Sequence, residues 1–375
     1  MNIAMIGSRG ITSNYGGIEK VLDEVCPRLV SLGHSVDVYS SAGIRVEAGD
    51  LRAIPVKSFG GKHLENITRS ALATLRALGR YDVVHFHAIG PGVLSLLTAA
   101  LGQKSAVTIH GLDWRRAKWN TAAKLCLQAA QQTLIRCAGG VSVVSRSLDG
   151  YYRDRYGIEP AFIPNGMAKK AHVPLGEFGR SLGLEEDGYL LFASRLVPEK
   201  GCHDLIEAFA RVPTGKKLVI AGGAGEPAYI ESLRRVTDPA RVVFTGHRVG
   251  DELAQLFSNA YLFVLPSYVE GMSNALIEAL AHQRPVLASG IEENAEVVED
   301  CGFYFRAGDV DDLADQITGL LADTGRVARV KARLAFLRRA DWDEVARRYD
   351  AFYRELLAGA GAPRRAPFPA PVPAE

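Results

Sequence analysis

The run Tyr261-Leu262-Phe263-Val264-Leu265-Pro266-Ser267-Tyr268-Val269-Glu270-Gly271-Met272-Ser273-Asn274-Ala275-Leu276-Ile277-Glu278 reads as one βα unit. Five apolar or aromatic residues make a buried strand, Pro266-Ser267 end it, and Ser273 is placed to cap a helix over Ala275 to Leu280. Glu270 then sits on the loop at the strand's carboxyl end, and Glu278 more than one turn inside the helix. Ligands of open α/β sheets bind at that edge, where the peptide N–H groups of a helix start can face a phosphate. As a loop carboxylate, Glu270 is expected to contribute little to the core.

The same alternation extends outward in both directions. Upstream in this half, strands are expected at Leu190–Ala193, Leu218–Ala221 and Val242–Phe244, and downstream at Val286–Ala288, each followed by a helical pattern. The first half repeats the scheme at Ile3–Ile6, Ser35–Tyr39, Val83–Phe86, Ala106–Ile109 and Val141–Val144, with helices such as Ile18–Leu32 and Leu64–Leu78 between them. Pro164-Asn165-Gly166 and a polar run to Glu177 interrupt the pattern. The expected fold is therefore α/β, with two Rossmann-like, doubly wound parallel-sheet domains facing across a cleft. Their bounds are 1–165 and 178–340, joined by a linker at 166–177. A helix over 341–358 should bury Trp342, Val345, Tyr349, Phe352, Tyr353 and Leu356 on one face. Five prolines between Gly361 and Glu375 make 359–375 a disordered tail.

Bulk properties exclude several classes. The 375 residues suit two domains, and 47% hydrophobic with 23% charged residues is ordinary for a folded soluble chain. A net charge of +2 argues against nucleic acid as a partner. Five scattered cysteines (Cys26, Cys126, Cys137, Cys202, Cys301), none in a C-x-x-C pair, suggest reduced thiols in the cytoplasm. Met1 to Gly7 runs straight into a first strand and turn, so no signal peptide is expected. The apolar stretch from Gly92 to Leu101 is too short to span a bilayer and reads as a core helix.

Two further loops carry chemistry. Ser194-Arg195-Leu196-Val197-Pro198-Glu199-Lys200-Gly201 follows the first strand of the second half. It places a guanidinium fork and a compact ammonium on one βα loop, a pairing suited to phosphate oxygens. Gly7-Ser8-Arg9-Gly10-Ile11-Thr12-Ser13-Asn14-Tyr15-Gly16-Gly17-Ile18-Glu19 leads from the first strand into a helix. It is neither a dinucleotide fingerprint nor a P-loop, but Gly16-Gly17 allow backbone to approach a ligand closely. His85 and His87 fall on one strand face without an evident third ligand, and read as cleft lining or hydrogen-bonded structure. Asp309, Asp311 and Asp312 precede a helical pattern and read as its acidic cap. No metal site and no cofactor are expected.

In order and spacing these motifs resemble the retaining glycosyltransferases of family 4, which have the GT-B fold. The likeness runs from Asn14-Tyr15-Gly16-Gly17-Ile18-Glu19 through Val107-Thr108-Ile109-His110-Gly111 and Ile163-Pro164-Asn165-Gly166. It continues through Arg195-x4-Lys200 to the Glu270-x7-Glu278 pair. Val84 to Gly92 with His110 to Trp114 further resembles members that build bacterial surface polysaccharides. The resemblance implies that Arg195 and Lys200 bind the donor diphosphate and stabilise the leaving group. It places Glu270 on hydroxyls of the transferred sugar and Glu278 on those of the ribose. Gly16 and Gly17 would lie against the diphosphate or sugar, His110 beside the transferred sugar, and the backbone N–H groups at Met272, Ser273 and Asn274 on phosphate. Some relatives carry an aromatic residue where this chain has Met272, so the identity of the sugar does not transfer.

The implied partners are a nucleotide-sugar donor, with a UDP-sugar preferred, and a glycan or lipid-linked acceptor. Trp114, Arg115, Arg116, Lys118 and Trp119, with the basic run Arg326 to Arg339, add an expected peripheral contact with anionic membrane at the inner face of the cell membrane. Two other functions fit the same residues: a nucleotide-sugar epimerase of this fold, and a non-catalytic nucleotide-sugar-binding subunit.

Overall fold

A computed structural model of the chain describes residues 1–12, 16–59, 61–116, 119–223 and 225–359. It divides into two compact units, Met1–Gly166 together with the chain from Ala340 onward, and Met167–Arg339.

The first unit is built on strands β1 (Asn2–Ile6), β2 (Ser35–Ser41), β3 (Val46–Ala48), β4 (Leu51–Val56), β5 (Val83–His87), β6 (Ser105–Ile109), β7 (Gly140–Val143) and β8 (Ala161–Phe162). Their spatial order is β3-β4-β2-β1-β5-β6-β7-β8. All pairs are parallel except β3 with β4, a short antiparallel ribbon at the edge. The central strands are buried along their length, as the continuous apolar runs require when helices cover both faces. One face packs Ile3, Met5, Val36, Val38, Val83 and Ala106 against the helix Gly17–Ser31 and the C-terminal helix Trp342–Leu357. That last helix buries Trp342, Val345, Tyr349, Phe352, Tyr353 and Leu356. The last described helix is thus part of the first unit's core.

The second unit contains β9 (Tyr189–Ala193), β10 (Lys217–Ala221), β11 (Val242–Gly246), β12 (Leu262–Leu265), β13 (Val286–Ser289) and β14 (Phe303–Phe305). Their order is β11-β10-β9-β12-β13-β14, parallel throughout. Residues 167–176 hold no strand or helix, and their backbone is tied to this unit. The Lys170 N–H donates to the Ala281 carbonyl at 2.9 Å and the Gly176 N–H to Gln255 Oε1 at 2.7 Å.

In each sheet the strand order reverses beside the first strand, between β1 and β5 and between β9 and β12. At such a reversal the helices following neighbouring strands lie on opposite faces, which opens a crevice at the carboxyl ends.

One expectation needs correction. Gly92 to Leu101 is not a core helix: it divides between the short helices Ile89–Gly92 and Ser95–Ala100, and Leu96, Leu97 and Leu101 are exposed. Residues 360–375 of the proline-rich tail lie outside the described residues.

Candidate active site

In the second unit both motif loops leave the reversal point. The loop after β9 tightens into a single turn of 3-10 helix, Pro198–Lys200, and Gly201 follows with φ +65°. A Cβ at Gly201 would lie 2.0 Å from the Pro266 carbonyl oxygen, so glycine is required for the two loops to pack backbone to backbone. The Tyr268 N–H donates to the Glu199 carbonyl at 3.0 Å, and the Tyr268 hydroxyl donates to Asp204 Oδ2 at 2.6 Å. Burial first, and then the Asp204 carboxylate, push that phenol above its ordinary range.

This frame brings Lys200 and Glu270 together. Lys200 Nζ donates to Glu270 Oε1 at 2.5 Å, and Ser267 Oγ donates to the same oxygen at 2.7 Å. Both charged side chains are nearly buried, Lys200 at 12% and Glu270 at 7% exposure. Glu270 is therefore a fixed part of the loop rather than a free carboxylate, so removing it is expected to leave Lys200 and Ser267 without a partner. Arg195 is half-buried on the same loop, and its guanidinium has no hydrogen bond or ion pair among the described residues. Ser273 caps the helix Asn274–Ala281, its Oγ accepting from the Leu276 N–H at 3.4 Å. Met272 is buried, and Asn274 opens the helix. Glu278 is half-buried on the helix, 3.6 Å from His282 Nε2. Ser267, which holds Glu270, was not singled out in the sequence; its signal is its position three residues before the motif glutamate.

In the first unit Gly16 precedes the helix that begins at Gly17, and the buried Glu19 accepts the Arg9 N–H at 2.8 Å. Asn14 and Tyr15 lie outside the described residues. His110 follows β6, with Nε2 at 3.0 Å from His87 Nδ1. His85 holds Tyr353 OH through Nδ1 and Thr108 Oγ1 through Nε2, both at 2.7 Å. The rings of His85 and His87 are 4.2 Å apart. Burial lowers all three imidazoles, His110 to about 4, His85 to about 3 and His87 well below the usual value. The H-x-H pair is hydrogen-bonded structure, and the described residues contain no group of three His, Cys, Asp or Glu able to hold a metal.

Two other features resolve as structure. Asp309 caps the helix Val310–Ala322 by accepting the Asp312 N–H at 2.9 Å, and Asp311 pairs with Arg211. Trp114 is half-buried and donates its indole N–H to Gln131 Oε1 at 3.0 Å. Trp119 is half-buried too, so neither indole is displayed as an interfacial anchor. No described helix is long and apolar enough to cross a membrane.

A reversal point carrying cations and a helix N-terminus in one α/β unit, in a chain whose other α/β unit has its own glycine loop, matches a glycosyltransferase of the GT-B type. The known proteins that the chain resembles agree. The Glycosyltransferase Family 4 model matches residues 15–168 and the Glycosyl transferases group 1 model matches residues 187–323. The chain belongs to the family 4 glycosyltransferases. It is 28% identical to a GDP-mannose-dependent alpha-(1-6)-phosphatidylinositol monomannoside mannosyltransferase of Mycobacterium tuberculosis, over 94% of this chain and 98% of the relative. It is 24% identical to the capsular polysaccharide biosynthesis glycosyltransferase CapM of Staphylococcus aureus, over 70% of this chain and 75% of the relative. Among solved structures, sucrose-phosphate synthase of Thermosynechococcus elongatus superposes with a TM-score of 0.80 at 22% identity, covering 95% of this chain and 99% of the other. HepE of Anabaena, in complex with UDP-glucose, gives 0.74 at 20% identity, covering 96% and 99%.

Proposed function

We propose that the protein transfers a sugar, with retention, from a nucleoside diphosphate donor to a glycan or lipid-linked acceptor in surface polysaccharide synthesis. The observation that carries this reading is the convergence of Arg195, Lys200, Glu270 and the Ser273-capped helix start on one sheet reversal. In this reading Arg195 and Lys200 meet the diphosphate, joined by the backbone N–H groups at Met272, Ser273 and Asn274. Breaking the sugar–phosphate bond builds negative charge on the leaving group, so cations and peptide dipoles fixed there favour the transition state over the ground state. They supply the charge that a divalent ion supplies in metal-dependent transferases, and no metal is required.

Glu270, already aimed by Lys200 and Ser267, takes hydroxyls of the transferred sugar, and Glu278 takes the ribose. Gly16 and Gly17 let backbone lie against the donor, and His110 stands beside the sugar. The acceptor attacks from the leaving-group face, and a donor phosphate oxygen helps remove its proton. A UDP-sugar is the donor we favour, and the GDP-mannose-dependent relative makes GDP-mannose its competitor.

The acceptor is met at an anionic membrane on its cytoplasmic side. Supporting this are exposed Leu96, Leu97, Leu101 and Leu125 in a stretch, 88–137, whose only acidic residue is Asp113. The functional test is transfer from UDP- and GDP-sugars to lipid-linked acceptors in excess EDTA. Undiminished transfer supports the reading. Activity abolished by EDTA and restored by magnesium or manganese refutes the metal-free leaving-group account.

A further inference from the structure

His87 and His110 share one short contact. His87 Nδ1 lies 3.0 Å from His110 Nε2, with the ring planes inclined by 29°. Between two neutral imidazoles that contact holds one proton, so each ring's tautomer is fixed by the other's. If His110 donates from Nε2, His87 must carry its own proton on Nε2. That atom is buried and has no hydrogen-bond partner among the described residues. A buried N–H without an acceptor is rarer and costlier than an acceptor left under-used, which disfavours this arrangement. In the opposite one, His87 donates from Nδ1, its buried Nε2 is a bare lone pair, and His110 is left with its proton on Nδ1. His85 imposes no contrary demand, because its partners Tyr353 and Thr108 are hydroxyls that can donate or accept.

We propose that His87 is a positioning residue that holds His110 as its Nδ1–H tautomer, so that His110 presents a hydrogen-bond donor, not a base, to the transferred sugar. The consequence for the sugar rests on the placement of His110 proposed above; the tautomer itself does not. Burial of both His87 and His110 keeps the pair neutral near neutral pH.

The decisive measurement is a long-range 1H–15N correlation spectrum of the full chain labelled with 15N-histidine, assigned through His87→Asn and His110→Asn. Both rings are expected to show a protonated Nδ1 and a lone-pair Nε2. A protonated Nε2 on His87 overturns the proposal whatever the kinetics show. The kinetic arm uses the overlap of the asparagine amide nitrogen with Nδ1 and of the glutamine amide nitrogen with Nε2. His87→Leu is expected to lower kcat on the order of tenfold to a hundredfold, as loss of an orienting partner does, with donor KM little moved, and His87→Asn to recover most of it. His110→Asn should retain more activity than His110→Gln. Equal loss in His87→Asn and His87→Leu, with both folded by thermal melting, counts against the positioning role. Wild-type rates in both His110 variants, with the expected spectrum, would leave the tautomer standing and refute the placement of His110 at the sugar.

Discussion

The two units reverse strand order at equivalent places and fill the reversal with different chemistry. At β9 and β12 the loops hold Arg195, an ion pair between Lys200 and Glu270, and a capped helix start. At β5 and β6 the corresponding region holds hydroxyls and three imidazoles that burial keeps neutral, while the loop after β1 carries glycines, Arg9 paired with Glu65, and the buried Glu19. In the proposed reading, one topology serves a diphosphate in one unit and sugar hydroxyls in the other. The side chains decide which, because the crevice itself is a property of the fold.

The largest effect separating the two regions is expected from Arg195→Ala and Lys200→Ala. Each should cut kcat by about 10²–10³-fold, the range seen when one fixed donor to a developing charge is removed. Steady-state kinetics with saturating donor check this, and variants with raised KM but normal kcat would show that these cations only bind the ground state. Next comes Glu270. Glu270→Ala removes the partner of a nearly buried lysine and the acceptor of Ser267, so a stability loss of about 1–3 kcal/mol is expected in chemical denaturation. Glu270→Gln, which keeps a carbonyl oxygen for both, should lose less. A Lys200/Glu270 double-mutant cycle should be strongly non-additive in both stability and turnover, and additivity would mean that the ion pair is incidental.

Glu278→Ala should act more mildly, weakening donor binding by about 1–3 kcal/mol for a lost charged hydrogen bond and leaving kcat near normal. The smallest effect concerns the neutral region. His85 and His110 titrate lower in the folded state than in the unfolded chain, where histidine sits near 6.5. Below that value the unfolded chain binds protons that the folded one does not, so stability is full above about pH 6.5 and falls as pH drops toward about 4. All three tryptophans, Trp114, Trp119 and Trp342, lie in the first unit, so their fluorescence follows its unfolding alone. The denaturation midpoint should fall between neutral pH and pH ~5 and fall less in His85→Gln. An equal fall in that variant would assign the acid sensitivity to other groups.

How legible the molecule was follows from the same contrast. All ten expected strands appear, because most are apolar runs buried along their length. The four strands missed are short or mixed: β3, β8 and β14 have two or three residues, and β4 carries Arg52 and Pro55. Ser273 as a cap was readable because capping is local. The Ser267–Glu270–Lys200 bonding was not, since it joins loops 70 residues apart in sequence. The His87–His110 contact likewise depends on β5 and β6 being neighbours, which no single-strand pattern reveals. The leucines of 96–101 misled in the other direction, because apolar periodicity does not tell a core face from an exposed one.

The central claim is that the charged reversal in the second unit receives the donor's diphosphate through Arg195 and Lys200. Calorimetric titration of wild-type, Lys200→Ala and Arg195→Ala proteins with UDP, GDP and the corresponding nucleosides in EDTA tests it most directly. The account predicts that wild type binds a diphosphate at least about tenfold more tightly than its nucleoside, and that each alanine variant loses that preference while still binding the nucleoside. Equal affinity for diphosphate and nucleoside in wild type, or a diphosphate preference untouched in both variants, would contradict it.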